Sequence, residues 1–213
     1  MQWKSIQLLK LCDVRLGYSF RQKPDFVAGG NVLVVQPSDV APDGTLAIDP
    51  VSCVSLSPES CLSRGDVLLI NRSRFTASVF EGEVGKPCIA TSAFHILSPK
   101  DPAQLLSEYL ALFLNSAAGQ GLFKRQIKTT TIPFISLGSL SHIEIPVPSM
   151  ERQRALVLLE KINQSYVRLS SRRAELQKQI AWAGLVSAHR KGGPRVCYRK
   201  GRPRVCPIKE KLS

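Results

Sequence analysis

The chain has 213 residues, 44% of them hydrophobic, and a formal net charge of +13, which is enough for one well-formed core plus an appendage. No run of about 18 apolar residues and no charged-then-apolar leader stands out, so neither a membrane span nor an export signal is expected, and the chain reads as cytoplasmic. Charge is unevenly placed: residues 1–148 hold 13 Lys/Arg against 12 Asp/Glu, 149–185 hold 7 against 3, and 186–213 hold 9 against 1. A nearly neutral body with a basic end calls for an anionic partner such as nucleic acid.

In chain order, Lys10 to Phe20 reads as a strand or short helix that breaks at Gly17, ahead of the aromatic and polar cluster Tyr18-Ser19-Phe20-Arg21. Asn31 to Gln36 is a β-branched apolar run closed by Pro37 and predicts a buried strand, and Val51 to Leu56 predicts another. Ser63-Arg64-Gly65-Asp66 is a turn feeding the strand Val67-Leu68-Leu69-Ile70, which empties into the basic, hydroxyl-rich loop Asn71-Arg72-Ser73-Arg74. Cys88 to Leu97 alternates as strand residues do. Pro102 predicts a helix start, with Leu105, Leu106, Tyr109, Leu110, Phe113 and Leu114 on its apolar face. A second short helix runs through Leu122 and Phe123 to the basic segment Lys124-Arg125-Gln126-Ile127-Lys128 and the tract Thr129-Thr130-Thr131-Ile132-Pro133.

A strand at Ile143-Glu144-Ile145 enters the bracket Pro146-Val147-Pro148, and from Ser149 the apolar positions step by three and four: Ala155, Leu159, Ile162, Tyr166, Leu169, Leu176, Ile180 and Ala183. That is a heptad seam with Arg173 at one position where an apolar residue is expected, a device that sets register or partner choice. A helix of about 35 residues is roughly 50 Å long, which calls for a partner helix, although packing back on its own domain is the alternative. The expected architecture is α+β: a globular domain over 1–148, a long spacer or dimerisation helix over 149–185, and a disordered basic tail over 186–213. In that tail Arg199-Lys200-Gly201-Arg202-Pro203-Arg204 resembles an AT-hook, with Arg202 and Arg204 as its DNA contacts in the minor groove of A·T-rich duplex.

Catalytic constellations are missing from the pattern. There is no acid pair followed by Lys at nuclease spacing, no dinucleotide fingerprint or P-loop, and no Asn-Pro-Pro or Asp-Pro-Pro followed by an aromatic. His95, His142 and His189 stand alone, without metal-ligand spacing, so no metal and no cofactor are expected in this chain. The six cysteines form no C-x-x-C pair, and Cys12, Cys53, Cys61 and Cys88 read as small buried hydrophobes.

Taken in order, several pieces resemble the specificity subunit of type I restriction-modification enzymes over residues 10 to about 185. They are Arg15-Leu16-Gly17-Tyr18-Ser19-Phe20, Gly65-Asp66-Val67-Leu68-Leu69, the Ala90 to Leu97 segment, and Tyr109-Leu110 through Asn115-Ser116. Most specific is the ending, Thr130-Thr131-Ile132-Pro133-Phe134-Ile135-Ser136, then Ile145-Pro146-Val147-Pro148 and Glu151-Arg152-Gln153. The resemblance implies a domain that reads one half of a bipartite site in double-stranded DNA, and a helix that spaces two such domains and binds DNA methyltransferase subunits, in some systems with a restriction subunit. One recognition unit is present, so the chain resembles a half-subunit that self-associates or pairs with another recognition subunit. By residue type, Arg72, Arg74, Lys124, Arg125 and Lys128 suit phosphates or, for arginine, guanine edges, while Tyr18, Ser19, Arg21, Ser73, Thr129, Thr130 and Thr131 suit phosphates or base edges. Leu159, Ile162, Tyr166, Leu169, Arg173, Leu176 and Ile180 are the expected assembly surface. A stand-alone DNA-binding regulator or defence component that reuses the recognition domain is the alternative, and an independent enzyme is disfavoured.

Overall fold

The computed structural model describes residues 3–205 apart from 23, 25, 28, 58–60, 83–84, 128–131, 191–195 and 200–201. The chain divides into two compact units, residues 1–160 and 161–213.

The first unit is layered around a four-stranded antiparallel sheet, in the order β2 (Cys12–Leu16), β8 (Phe94–Pro99), β5 (Val67–Ile70), β6 (Ala77–Val79). Its central strand explains the layering. Val-Leu-Leu-Ile is apolar at every position and buried throughout, so the period-2 alternation of a strand sends Val67 and Leu69 to one side and Leu68 and Ile70 to the other. On the first side they join Leu97, Leu110, Leu114, Phe123 and Ile145 in the larger core, beneath helices α2 (Ser107–Asn115) and α3 (Ala117–Gln126). On the second they meet Leu33, Val35, Cys88 and Ala90 of a smaller sheet, ordered β4 (Cys53–Val54), β3 (Val32–Val35), β7 (Cys88–Ala90), in which β3 and β7 are parallel. A two-stranded ladder joins β1 (Lys4–Gln7), at the start of the chain, to β9 (Glu144–Val147), just before the long helix. The short helix α1 (Leu8–Leu11) follows β1, and α4 (Leu137–Leu140) precedes β9.

Asp66 braces the sheet at the start of β5. Its carboxylate accepts from Arg15 Nη2 on β2 at 3.0 Å, from Ser98 Oγ on β8 at 2.6 Å and from the Ser63 amide at 2.9 Å, so the turn before β5 and the strands β8 and β2 are held to one buried acid. Charge-assisted bonds of this kind are the stronger class.

The long helix α5 runs from Met150 to Arg190, five residues beyond the expected end at residue 185. Its first turns belong to the first unit. Leu156 and Val157 pack on the larger core, and Gln153 is fully buried. The Gln153 side chain accepts from the Leu106 amide at 2.9 Å and donates to the carbonyls of Gln104 at 2.8 Å and Pro148 at 3.0 Å. A single amide therefore fixes the start of α5 to the segment that leads into α2.

The structure corrects four expectations. The helix does not start at Pro102: Asp101 instead closes a turn, accepting from the Ala103 amide on Oδ1 and from the Gln104 and Leu105 amides on its carbonyl, and α2 begins at Ser107. The Cys88–Leu97 strand is two strands separated by a turn at Ser92-Ala93. Cys61 is half-buried rather than buried, whereas burial pushes the Cys12 thiol up to about 12 and the Cys88 thiol up to about 11, keeping both protonated. Within the expected disordered tail, β10 (Val196–Arg199) and β11 (Arg202–Val205) pair antiparallel. Among the described residues no helix is long and apolar enough to cross a membrane.

Replacing Gln153 by Leu strands the half-buried Leu106 N–H and removes the donors from the Gln104 and Pro148 carbonyls, the second of them on a buried residue. At about 1 to 3 kcal/mol for each buried group left unpaired, we expect a loss of roughly 2 to 4 kcal/mol in urea unfolding, and a loss below about 0.5 kcal/mol would contradict the clamp.

Candidate nucleic-acid interface

Strand directions bring four segments to one end of the central sheet. β2 and β5 both run antiparallel to β8, so their C-terminal ends lie beside the N-terminal end of β8. There Gly17 follows β2, Asn71 follows β5, and Thr91-Ser92-Ala93 enters β8. The fourth segment, Pro133 to Ile135, arrives from the far side of the sequence and pairs with the loop after β5.

Asn71 is the junction. Fully buried, it donates its amide to the Ala93 carbonyl at 2.9 Å and its Nδ2 to the Ser92 carbonyl at 3.0 Å, and its own carbonyl accepts the Ile135 amide at 3.0 Å. The pairing continues outward, with an antiparallel bridge between Arg72 and Phe134 and the Ser73 amide on the Pro133 carbonyl at 2.9 Å. Ser73 has φ of 64°, the left-handed region, and is the sole non-glycine residue so placed among the described residues. Such a conformation costs of order 1 kcal/mol or more and persists where the surroundings over-determine it. Beyond it, the Arg72 guanidinium lies over the Phe134 ring, 5.4 Å from its centroid, with both residues exposed. Exposed cation–π contacts of this kind contribute about 0.5 to 1 kcal/mol, enough to orient the arginine without burying it.

His95 anchors the same segment from below. It is buried, with Nε2 2.8 Å from the Ile135 carbonyl. A carbonyl only accepts, so Nε2 carries the proton and Nδ1 is left as a lone pair. Nδ1, the Asn71 Oδ1 and the Thr91 hydroxyl are buried without a protein partner. Desolvation holds the imidazole below its ordinary value, outweighing the opposing effect of the Ile135 bond.

The first loop is fixed by close approach. Gly17 donates to the Phe94 carbonyl at 3.0 Å, and a Cβ there would fall 2.1 Å from the Thr91 carbonyl oxygen, so only glycine fits. Tyr18 donates its amide to the Ala90 carbonyl at 2.7 Å, and its ring, exposed, meets Phe20 edge-on at 4.8 Å. Ser19 and Arg21 are exposed beside it.

The expected DNA-contact residues therefore divide. Arg72, Ser73, Tyr18, Ser19 and Arg21 stand exposed on loops at this end of the sheet. Arg74 is committed elsewhere: half-buried, its Nη2 donates to the carbonyls of Pro37, at 2.5 Å, and Val40, which clamps the loop to the 3-10 turn Pro37–Asp39. Lys124 and Arg125 are exposed in the last turn of α3, where their charge also suits the helix C-terminus. That helix is seated at the end of the same loop, through Phe123 against Phe75 at 5.5 Å and Gln120 Nε2 on the Phe75 carbonyl at 2.9 Å. Lys128, Thr129, Thr130 and Thr131 lie outside the described residues. Arg202 and Arg204 fall in the second unit, on β11.

Residue type alone did not single out Asn71, His95 or Phe134. The Ile132-Pro133-Phe134 bracket was a usable signal, since an aromatic between a proline and a buried isoleucine is a candidate exposed anchor.

Residues 1–158 match the family model for the type I restriction modification DNA specificity domain. Among solved structures, a chain from work on complex assembly and conformational transition of the type I R-M system aligns at 23% identity and TM-score 0.63, over 85% of this chain and 43% of its own. The HsdS subunit from Thermoanaerobacter tengcongensis aligns at 22% identity and TM-score 0.56, over 78% and 38%. The type I restriction-modification S subunit from M. genitalium aligns at 15% identity and TM-score 0.55, over 84% and 43%. This chain thus spans less than half the length of the structures that share its fold. No curated protein matches it.

The buried, neutral His95 makes stability pH-dependent. Below the ordinary imidazole value of about 6.5 the unfolded chain takes up a proton that the native ring resists, so stability present above that pH is lost as pH falls toward the lowered native value. We expect the difference in unfolding free energy between wild type and His95→Gln to shrink from pH 7 to pH 5, by up to about 1.4 kcal/mol per pH unit. A difference that is flat with pH would contradict a buried neutral imidazole.

Proposed function

The chain belongs to the type I restriction-modification DNA specificity family, and from that premise we propose that it is a non-catalytic targeting subunit whose first unit reads one half of a bipartite site in double-stranded DNA. The observation that carries this reading is the paired loop at the end of the central sheet, where Ser73 is held in a left-handed conformation and the Arg72 guanidinium lies over the Phe134 ring. An exposed guanidinium is suited to a bidentate fork onto guanine O6 and N7 in the major groove, and an exposed aromatic beside it suits a thymine methyl. Tyr18, Ser19, Arg21, Lys124 and Arg125 supply phosphate contacts that fix register without reading sequence. Arg74 acts one step back, by holding the loop.

Assembly in this proposal runs through α5. Its seam positions Leu159, Ile162, Tyr166, Leu169, Leu176 and Ile180 are all exposed, Leu169 at 72%, and Leu158, Val167 and Trp182 extend the apolar surface. Burying a leucine or isoleucine side chain contributes roughly 1.5 to 3 kcal/mol, so a seam of this length left in water is a heavy liability. A second helix of the same kind covers it, with Arg173 setting register, and antiparallel pairing would place two recognition units at the two ends. DNA methyltransferase and, where present, restriction subunits are the catalytic partners, in the cytoplasm.

Three outcomes follow. The purified chain should transfer no methyl group and cut no DNA alone, and should confer site-specific methylation only on a catalytic partner; methyl transfer by the clean protein would refute the targeting role. In that assembly, Arg72→Ala should reduce discrimination between cognate and mismatched half-sites by about 1 to 3 kcal/mol in binding titrations, whereas Arg74→Ala should lower the thermal stability of the first unit. An Arg72→Ala protein with wild-type discrimination would remove the loop from the reading surface. Leu169→Asp with Leu176→Asp should abolish association in sedimentation while circular dichroism of the globular unit persists, and a double variant that still joins its partners would contradict the seam.

A further inference from the structure

The hairpin at the end of the chain lies outside residues 1–158, the part matched by the specificity-domain model, and has no role in the reading above. Its register is informative. Val196 pairs with Val205, Cys197 with Arg204, Tyr198 with Pro203, and Arg199 with Arg202. Residues directly opposite share a face and successive residues alternate, so the Arg199, Arg202 and Arg204 positions fall on one face of the ribbon. The Val196, Tyr198, Pro203 and Val205 positions fall on the other. A proline in one of only two strands removes a backbone donor and discourages a third strand from adding.

We propose that this ribbon is a second, sequence-independent contact with duplex DNA, made by its three-arginine face on the phosphate backbone and independent of the half-site reading of the first unit. Arginine's planar fork matches phosphate oxygens better than an ammonium does, and a two-stranded ribbon has a width that the major groove admits. Segment charge agrees, since residues 186–213 hold 9 Lys/Arg against 1 Asp/Glu. The same register corrects the AT-hook expectation. An extended hook separates Arg199 from Arg202 by roughly 10 Å along the chain, whereas the hairpin sets them opposite each other at about 5 Å, so the segment is folded back where a minor-groove hook is straight.

Salt titration of the full chain on a scrambled-sequence DNA duplex, read by fluorescence anisotropy, tests this. Each phosphate neutralised contributes about 0.9 to the slope of log affinity against log salt. Arg199→Gln, Arg202→Gln and Arg204→Gln together should reduce that slope by about 2 to 3 and weaken cognate and scrambled duplexes by the same factor. A composition-preserving exchange, Arg204→Val with Val205→Arg, moves one charge to the opposite face and should reduce the slope by about 1. An unchanged slope in the triple variant would overturn the proposal, and an exchange variant that behaves as wild type would overturn the register-defined face in favour of bulk charge. Loss of the tail's contribution on adding a minor-groove ligand, or tighter binding to an RNA duplex, would likewise overturn it. Failure of the half-site reading looks different: discrimination is absent while the tail's share of the slope remains.

Discussion

Asn71 is where the proposed interface meets the fold. A strand buried on both faces ends at this residue, and three hydrogen bonds from its backbone and side chain tie together the loop after β5, the turn before β8 and the Pro133–Ile135 segment. The last two stand about 40 positions apart in sequence, and Ile135, buried in the larger core, anchors the second of them. Because the junction is fully buried, leaving any of these groups unpaired costs more than the bond itself contributes. The left-handed Ser73 and the Arg72–Phe134 cation–π contact are consequences of that closure. A loop already held in its working shape loses little conformational freedom on meeting DNA, which is how a small contact set supports discrimination.

Two other buried polar groups set the frame within which this junction works. Asp66 holds β2, β8 and the turn before β5 at the opposite end of the sheet, and Gln153 holds the first turns of α5 to the approach to α2. Each is a single side chain that makes three contacts, so each fixes a direction as well as a distance. Charge is arranged by a different rule. The first unit is nearly neutral and presents few, positioned cations, whereas the tail concentrates cations on a short ribbon. In the proposed reading, sequence discrimination falls to the first unit and general attraction to phosphate to the tail.

The parts of the fold legible in the sequence were those in which one stretch carries its own pattern. Val67–Ile70, Val32–Val35 and the three-and-four spacing after Ser149 announce their periods without help from elsewhere. Missed elements depend on distant partners: β6 is only Ala-Ser-Val, and β1, Lys-Ser-Ile-Gln, is a strand because β9 lies beside it 140 residues later. Pro102 misled because Asp101, just before it, closes a turn of its own. At the interface, the basic loop was visible, but its two arginines look alike on paper. What separates them is a pair of backbone carbonyls, from Pro37 and Val40, that wait for Arg74 and leave Arg72 free to face outward. Composition carries no trace of such carbonyls, and for the same reason it could not pick out Asn71 among the chain's polar residues.

The central claim is that the joined loops at the end of the sheet touch bases. A photoreactive phenylalanine analogue at position 134, in the chain assembled with its catalytic partner on cognate duplex, tests it most directly. The account predicts crosslinks to bases within a single half-site, lost when that half-site is scrambled. Crosslinks only to the spacer or flanking sugar-phosphate, with scrambling leaving their yield unchanged, would contradict it.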